Sequence, residues 1–262
     1  MLFRKLSYCV LLFILALVVA CGGKKEESEE AAPAPSASTP AAGGNTYDAS
    51  KATATVTGKI NFEGTKPTPA KLPYTPECVQ AHGGQAGTEE SLQVNDNNTV
   101  KNVLVYVKQG AEKWTFPTPT DPVVLDQKGC DYTPHIIVVQ ANQPLKIVNS
   151  DPFLHNIHPQ PKNNPEFNMG QPVKGMEATK TFANPEVAIP VKCDVHRWMQ
   201  AYIPVVSNPL YNVSGDDGTF TIKLPAGTYT IEAWHEKLGA QTQQVTVTDN
   251  DKKEVNFSFK AS

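Results

Sequence analysis

The sequence has no Cys-x-x-Cys-His haem attachment motif, no phosphate-cradling Gly-rich loop and no nucleophile elbow. Those absences argue against a haem carrier, a P-loop nucleotide hydrolase and a serine hydrolase of the α/β type, and so against an enzyme. There is also no basic cluster, which argues against nucleic acid as a partner. Long runs at helical spacing are few, whereas Pro (22) and Gly (17) are plentiful, so the chain reads as all-β. Apolar runs are short as well. The longest near the N-terminus, residues 10–20, is too brief for an ordinary membrane-spanning helix.

That run follows Arg4 and Lys5, the pattern of a secretory signal over residues 1–20. Val18-Val19-Ala20-Cys21 resembles a bacterial lipobox, which implies cleavage before Cys21 and a lipid on that cysteine. A plain signal peptide cleaved near Ala20 is the alternative. Removing Arg4 and Lys5 leaves 21 basic residues against 26 acidic ones, a net charge of −5. Residues 21–50 are rich in charge, Pro, Ala and Ser and lack the apolar residues of a core, so they read as a disordered tether between lipid and folded head. These features place the protein outside the cytoplasm, anchored to a membrane through lipid. Of five cysteines, Cys9 leaves with the signal and Cys21 carries lipid. In an oxidising compartment two of the remaining three are expected to pair. Cys193 has metal-type neighbours, which makes Cys78 and Cys130 the predicted disulfide; Cys130 with His135 as a second metal site is the weaker alternative.

Those neighbours define the central motif, Val-Lys-Cys-Asp-Val-His-Arg-Trp-Met at residues 191–199. Cys193, His196 and Met199 offer a thiolate, an imidazole and a thioether within seven residues. Soft sulfur favours Cu(I) and imidazole suits both oxidation states, so the set points to copper that changes oxidation state. A further imidazole has two candidates, His155 and His158, in Asn149-Ser-Asp-Pro-Phe-Leu-His-Asn-Ile-His.

Over residues 135–206 these two segments, in this order, resemble the copper-binding segments of the cupredoxins, and the short ligand loop is most similar to the amicyanin and plastocyanin type. The resemblance implies a Greek-key sandwich holding one copper ion of type 1, with His155, Cys193 and His196 as strong ligands and Met199 as the weak axial one. It also implies that Asn156 ties the two ligand loops together through the residue after the cysteine, here Asp194 where many members carry Ser or Thr. His158 is then a neighbour rather than a ligand. Met169 and Met176 lack proximity to Cys193 in sequence; His82 reads as a solvated loop residue, His135 as a strand-end residue and His235 as a surface residue at a strand end.

Alternation of apolar and polar residues marks a strand at residues 53–62, and further strands are expected at 100–108, 136–139, 145–148, 186–192, where Val187, Ile189 and Val191 would share one face, and 201–206. Residues 141–144 form the turn of a hairpin that leads to the first ligand loop, and 162–175 form a surface excursion. Beyond Pro209, Asp217-Gly-Thr-Phe220 and Pro225-Ala-Gly-Thr-Tyr229 resemble the turns of the carboxypeptidase-regulatory-like, transthyretin-like β-sandwiches. Those proteins open on a strand like residues 55–60 followed by Gly-x-x-Pro, here Gly64 to Pro67. The expected organisation is an N-terminal β segment at 51–97, pairing with the last module, a copper domain at 98–207 and the small sandwich module at 208–262. The implied function is one-electron transfer between redox proteins. A copper carrier, or a structural surface lipoprotein without metal, uses much of the same sequence.

Overall fold

The computed structural model describes residues 45–261; the expected signal peptide, Cys21 and most of the tether lie outside them. Nearly all regular structure is β, arranged around two main apolar cores.

The first core is organised by the strand Ala54–Glu63, whose residues alternate between buried and more exposed along its length. Ala54, Val56, Ile60 and Phe62 point inward, and burying one such Ile contributes about 2 kcal/mol. Thr219–Leu224 pairs antiparallel on one side, while Lys252–Glu254 and Phe257–Lys260 pair parallel on the other. The N-terminal strand is therefore the centre of a sheet completed by the C-terminus. Facing it is a sheet of Tyr211–Val213, Leu104–Gln109, Gly227–His235 and Gly239–Val247.

The strand Leu104–Gln109 departs from expectation. It was assigned to the copper domain beginning at residue 98, but it hydrogen-bonds to Gly227–His235 and lies in the C-terminal sandwich. Alternation could not reveal this because both faces are covered: Val105 and Val107 join the first core, whereas Leu104 joins Ile136, Val138 and Val206 in a small junction cluster.

The second core lies among the strands that position the ligand loops. One sheet runs Met169–Gln171, His155–Pro159, Glu186–Lys192, Gln200–Val206 and Val139–Gln140; the other runs Glu177–Lys180, Leu145–Asn149, Val123–Lys128 and Asp131–Thr133. The strands on either side of residues 141–144 were expected to form a hairpin, but they belong to different sheets. The turn carries the chain across the sandwich. Along Glu186–Lys192 the register shifts between Glu186 and Ile189, with Ala188 at φ 73°. Ile189 and Val191 consequently enter the second core while Val187 packs on the junction cluster, so the three do not share one face.

A short helix, Pro76–Ala81, was not anticipated in the Pro-rich passage. Its signal is present, since Thr75 caps the amide of Cys78 and Pro76 occupies the first helical turn. The Cys78–Cys130 disulfide joins this helix to the second core. No helix among the described residues is long and apolar enough to cross a membrane.

Candidate metal centre

The two ligand loops meet at one end of the second core. His155 begins the strand His155–Pro159, and Cys193 directly follows Glu186–Lys192. These strands pair through Lys192 and His158, which brings the loops together. Tyr132 adds a cross-brace: its hydroxyl donates to Asn156 O in a short hydrogen bond and lies 3.1 Å from Lys192 O.

His155 Nδ1 and His196 Nδ1 face each other at 3.0 Å, and Cys193 Sγ stands 3.9 Å from His196 Nδ1. The ligand atoms of all three residues lie within 4.8 Å of one another, in buried positions. First-row ions hold imidazole nitrogen at about 2.0 Å and thiolate sulfur at about 2.3 Å. Both observed separations are shorter than the sum of two such bonds, as they must be if one ion is to reach both atoms. The donor set therefore fits a single soft-to-borderline metal. Cys193 is buried and outside the disulfide.

Met199 is fully buried in the cluster that contains Cys193. The loop closes on itself, with Met199 N donating to His196 O at 2.9 Å and Cys193 N donating to Met199 O at 3.3 Å. His158 does not join the ligands. Three residues beyond His155 on a strand, it faces the opposite side, with Nδ1 3.0 Å from Asp194 and Nε2 2.6 Å from Glu166.

Asn156 and Asp194 do make contact. Asp194 N donates to Asn156 Oδ1 at 2.7 Å, and Asn156 Nδ2 reaches the Asp194 carboxylate at 3.3 Å. The backbone amide makes the shorter bond, so the unusual side chain at 194 does not break the tie. That carboxylate, held below its ordinary range by Asn168 and then by His158 and Lys192, gathers the outer face of the loop.

The residue that the sequence argument overlooked is Asp151. Its Oδ2 lies 2.8 Å from His155 Nε2, while its two oxygens accept from the amides of Gly129 and Cys130, each at 2.9 Å. Asn149 shapes the turn by accepting from Asp151 N and donating to Phe153 O and Gln171 O. The Asn-Ser-Asp-Pro string is a turn signal, although nothing local says that its Asp returns to a histidine four residues on.

Burial raises the Cys193 thiol, but hydrogen bonds from His155, His196 and neighbouring amides prevail and bring it down to about 6. Burial lowers the His155 imidazolium, yet Asp151 and Cys193 raise it overall. Aromatic rings close the site: Phe153 meets His155 edge-on at 5.2 Å, and Trp198 packs at 5.3 Å from His196 while donating to Cys130 O. His196 also neighbours both sulfurs of the disulfide, which are already bonded to each other.

Two other histidines differ from expectation. His235 is 1% exposed rather than on the surface, and burial lowers it to about 4. His82 caps the short helix with Nδ1 3.2 Å from Gly129 O.

No family profile matches the sequence, and no curated protein does. Among solved structures, the copper-containing nitrite reductase NirK from Thermus scotoductus SA-01 aligns at 21% identity, covering 33% of this chain and 22% of its own, with a TM-score of 0.31. A Cu(I) amicyanin variant aligns at 19% identity over 34% of this chain and 86% of its own, TM-score 0.30. An oxidised amicyanin variant aligns at 16% identity over 39% and 98%, TM-score 0.29. All three are cupredoxins; the chain spans less than a quarter of the nitrite reductase and little more than a third of itself in any of these alignments.

Proposed function

We propose that this protein holds one copper ion and carries single electrons between redox partners outside the cytoplasm, tethered by lipid on Cys21. His155, Cys193 and His196 are the strong ligands and Met199 the weak axial one. The observation that carries this reading is the convergence of the His155 and His196 Nδ1 atoms with the buried, unpaired Cys193 sulfur. Copper in such a donor set alternates between Cu(I) and Cu(II).

The chain's own contribution is a fixed geometry. Asp151 orients one imidazole, Asn156 joins the loops, and Phe153 and Trp198 exclude water, so little needs to move when the charge changes. His196 is 6% exposed against 0% for His155, which makes it our choice for the electron port. Loading the protein with Cu(II) should give an intense thiolate-to-copper absorption band that Cys193→Ser abolishes. A colourless Cu(II) form overturns the proposal.

A copper carrier would use the same ligands. The buried, cross-braced loops favour the electron carrier, because a carrier must exchange its ion readily. Reversible one-electron cycling at an electrode supports the first reading, and fast copper exchange without such cycling supports the second.

A further inference from the structure

Where three distant segments meet, a second group of metal-type donors stands apart from the copper ligands. His135 precedes the bridge at Ile136, Glu236 follows the strand Gly227–His235, and Glu90 comes from the N-terminal segment. The side chains of His135 and Glu236 are 5% and 3% exposed, and that of Glu90 is 41% exposed. His135 Nε2 is engaged by Glu236 Oε1 in a short hydrogen bond. In the neutral ring, a carboxylate at that nitrogen keeps the proton there and leaves Nδ1 as a lone pair.

That lone pair is buried and has no hydrogen-bond partner. Glu90 Oε2 stands 3.6 Å from it, beyond hydrogen-bond reach. The two electron-rich atoms are close enough for one cation to attract both. Both residues border a cavity of about 130 Å³, together with Asp131, Gln200 and Trp198. The space admits an ion with a few waters, each needing about 30 Å³. Asp131, on the cavity wall, is already engaged by the Tyr74 hydroxyl at 2.6 Å and by His82 Nδ1 at 3.3 Å.

We infer that this cavity binds a divalent metal ion, with His135 Nδ1 and Glu90 as its protein ligands, water completing the coordination, and Glu236 as the positioning residue that fixes the imidazole tautomer. Imidazole with carboxylate and water suits Mn(II) and similar first-row ions rather than the soft-sulfur chemistry of the other site. The carboxylate behind the imidazole repeats the pairing of Asp151 with His155. Trp198 borders the cavity and also packs on His196, so the two sites share a wall.

The test is an Mn(II) titration of the full chain freed of metal by chelation, following loss of the free-ion electron paramagnetic resonance signal. Mn(II) avoids thiolate sites, so the outcome is separate from that of copper loading. One equivalent should bind, binding should be lost in His135→Ala and Glu90→Gln, and Glu236→Gln should weaken it ten- to a hundredfold. Glu90 is partly exposed, so its variant keeps the test valid if His135→Ala fails to fold. Absence of Mn(II) binding, with nitrogen NMR showing a proton on Nδ1, overturns the inference; so does binding that both ligand variants leave unchanged.

Discussion

The Asp151 carboxylate meets Nε2 of His155 at 2.8 Å, while the opposite ring nitrogen, Nδ1, faces His196 at 3.0 Å. One side of the imidazole is thereby anchored and the other is presented to the place where the ligands converge. Because Asp151 also accepts the Gly129 and Cys130 amides, it joins the ligand loop to the disulfide.

Asp151→Asn should therefore weaken copper affinity by ten- to a hundredfold while leaving Cys193 as a ligand. Competition with a Cu(I) chelator measures the loss, and the charge-transfer band, shifted but present, distinguishes a misoriented imidazole from a lost site. Unchanged affinity would remove Asp151 from the site's support.

The metal-free protein should expose its thiolate at unusually low pH. Cys193 is the one free thiol among the described residues, and its absorbance should titrate near 6 rather than 9.0. The folded value lies below the unfolded one, so the stabilisation is full above pH 9.0, falls as pH drops from there, and is gone below about 6. Thermal melts of the metal-free protein and of Cys193→Ser across that interval should converge at the acid end.

Breaking the disulfide should reach beyond stability. Cys78 and Cys130 are 52 residues apart, and their link stabilises by roughly 4 kcal/mol on the chain-entropy estimate. Since both sulfurs neighbour His196, Cys78→Ala with Cys130→Ala should also alter the copper spectrum. A fall in melting temperature with an identical spectrum would limit the bridge to a purely stabilising role.

Gly58→Ala should disrupt the other core. A Cβ there would fall 1.8 Å from Val255 O and 2.6 Å from the ring of Phe220, its cross-strand partner. Overpacking of this kind costs about 1–3 kcal/mol, and more where backbone must shift. Denaturant unfolding measures the loss; a change below about 0.5 kcal/mol would mean the strand yields more easily than its contacts imply.

Local spacing made part of this molecule legible. Cys193, His196 and Met199 share one tight turn, so seven residues suffice to suggest their chemistry. Alternation likewise marked Ala54–Glu63, because one of its faces is markedly more buried than the other. The pattern was less informative where a strand is covered on both faces, as at Leu104–Gln109, or bulged, as at Ala188. His235 was misread for a related reason: charged Glu236 and Lys237 follow it in sequence, but the fold covers it.

The sequence by itself determined an all-β chain, a copper-type donor set and the disulfide partners. Tertiary structure alone decided that Asp151 anchors His155, that Leu104–Gln109 joins the C-terminal sandwich, and that His135 meets a glutamate 101 residues away. The physical reason is range: backbone periodicity and ligand spacing are written within a turn or a strand. Which carboxylate faces which imidazole depends instead on how separate sheets close over a shared core.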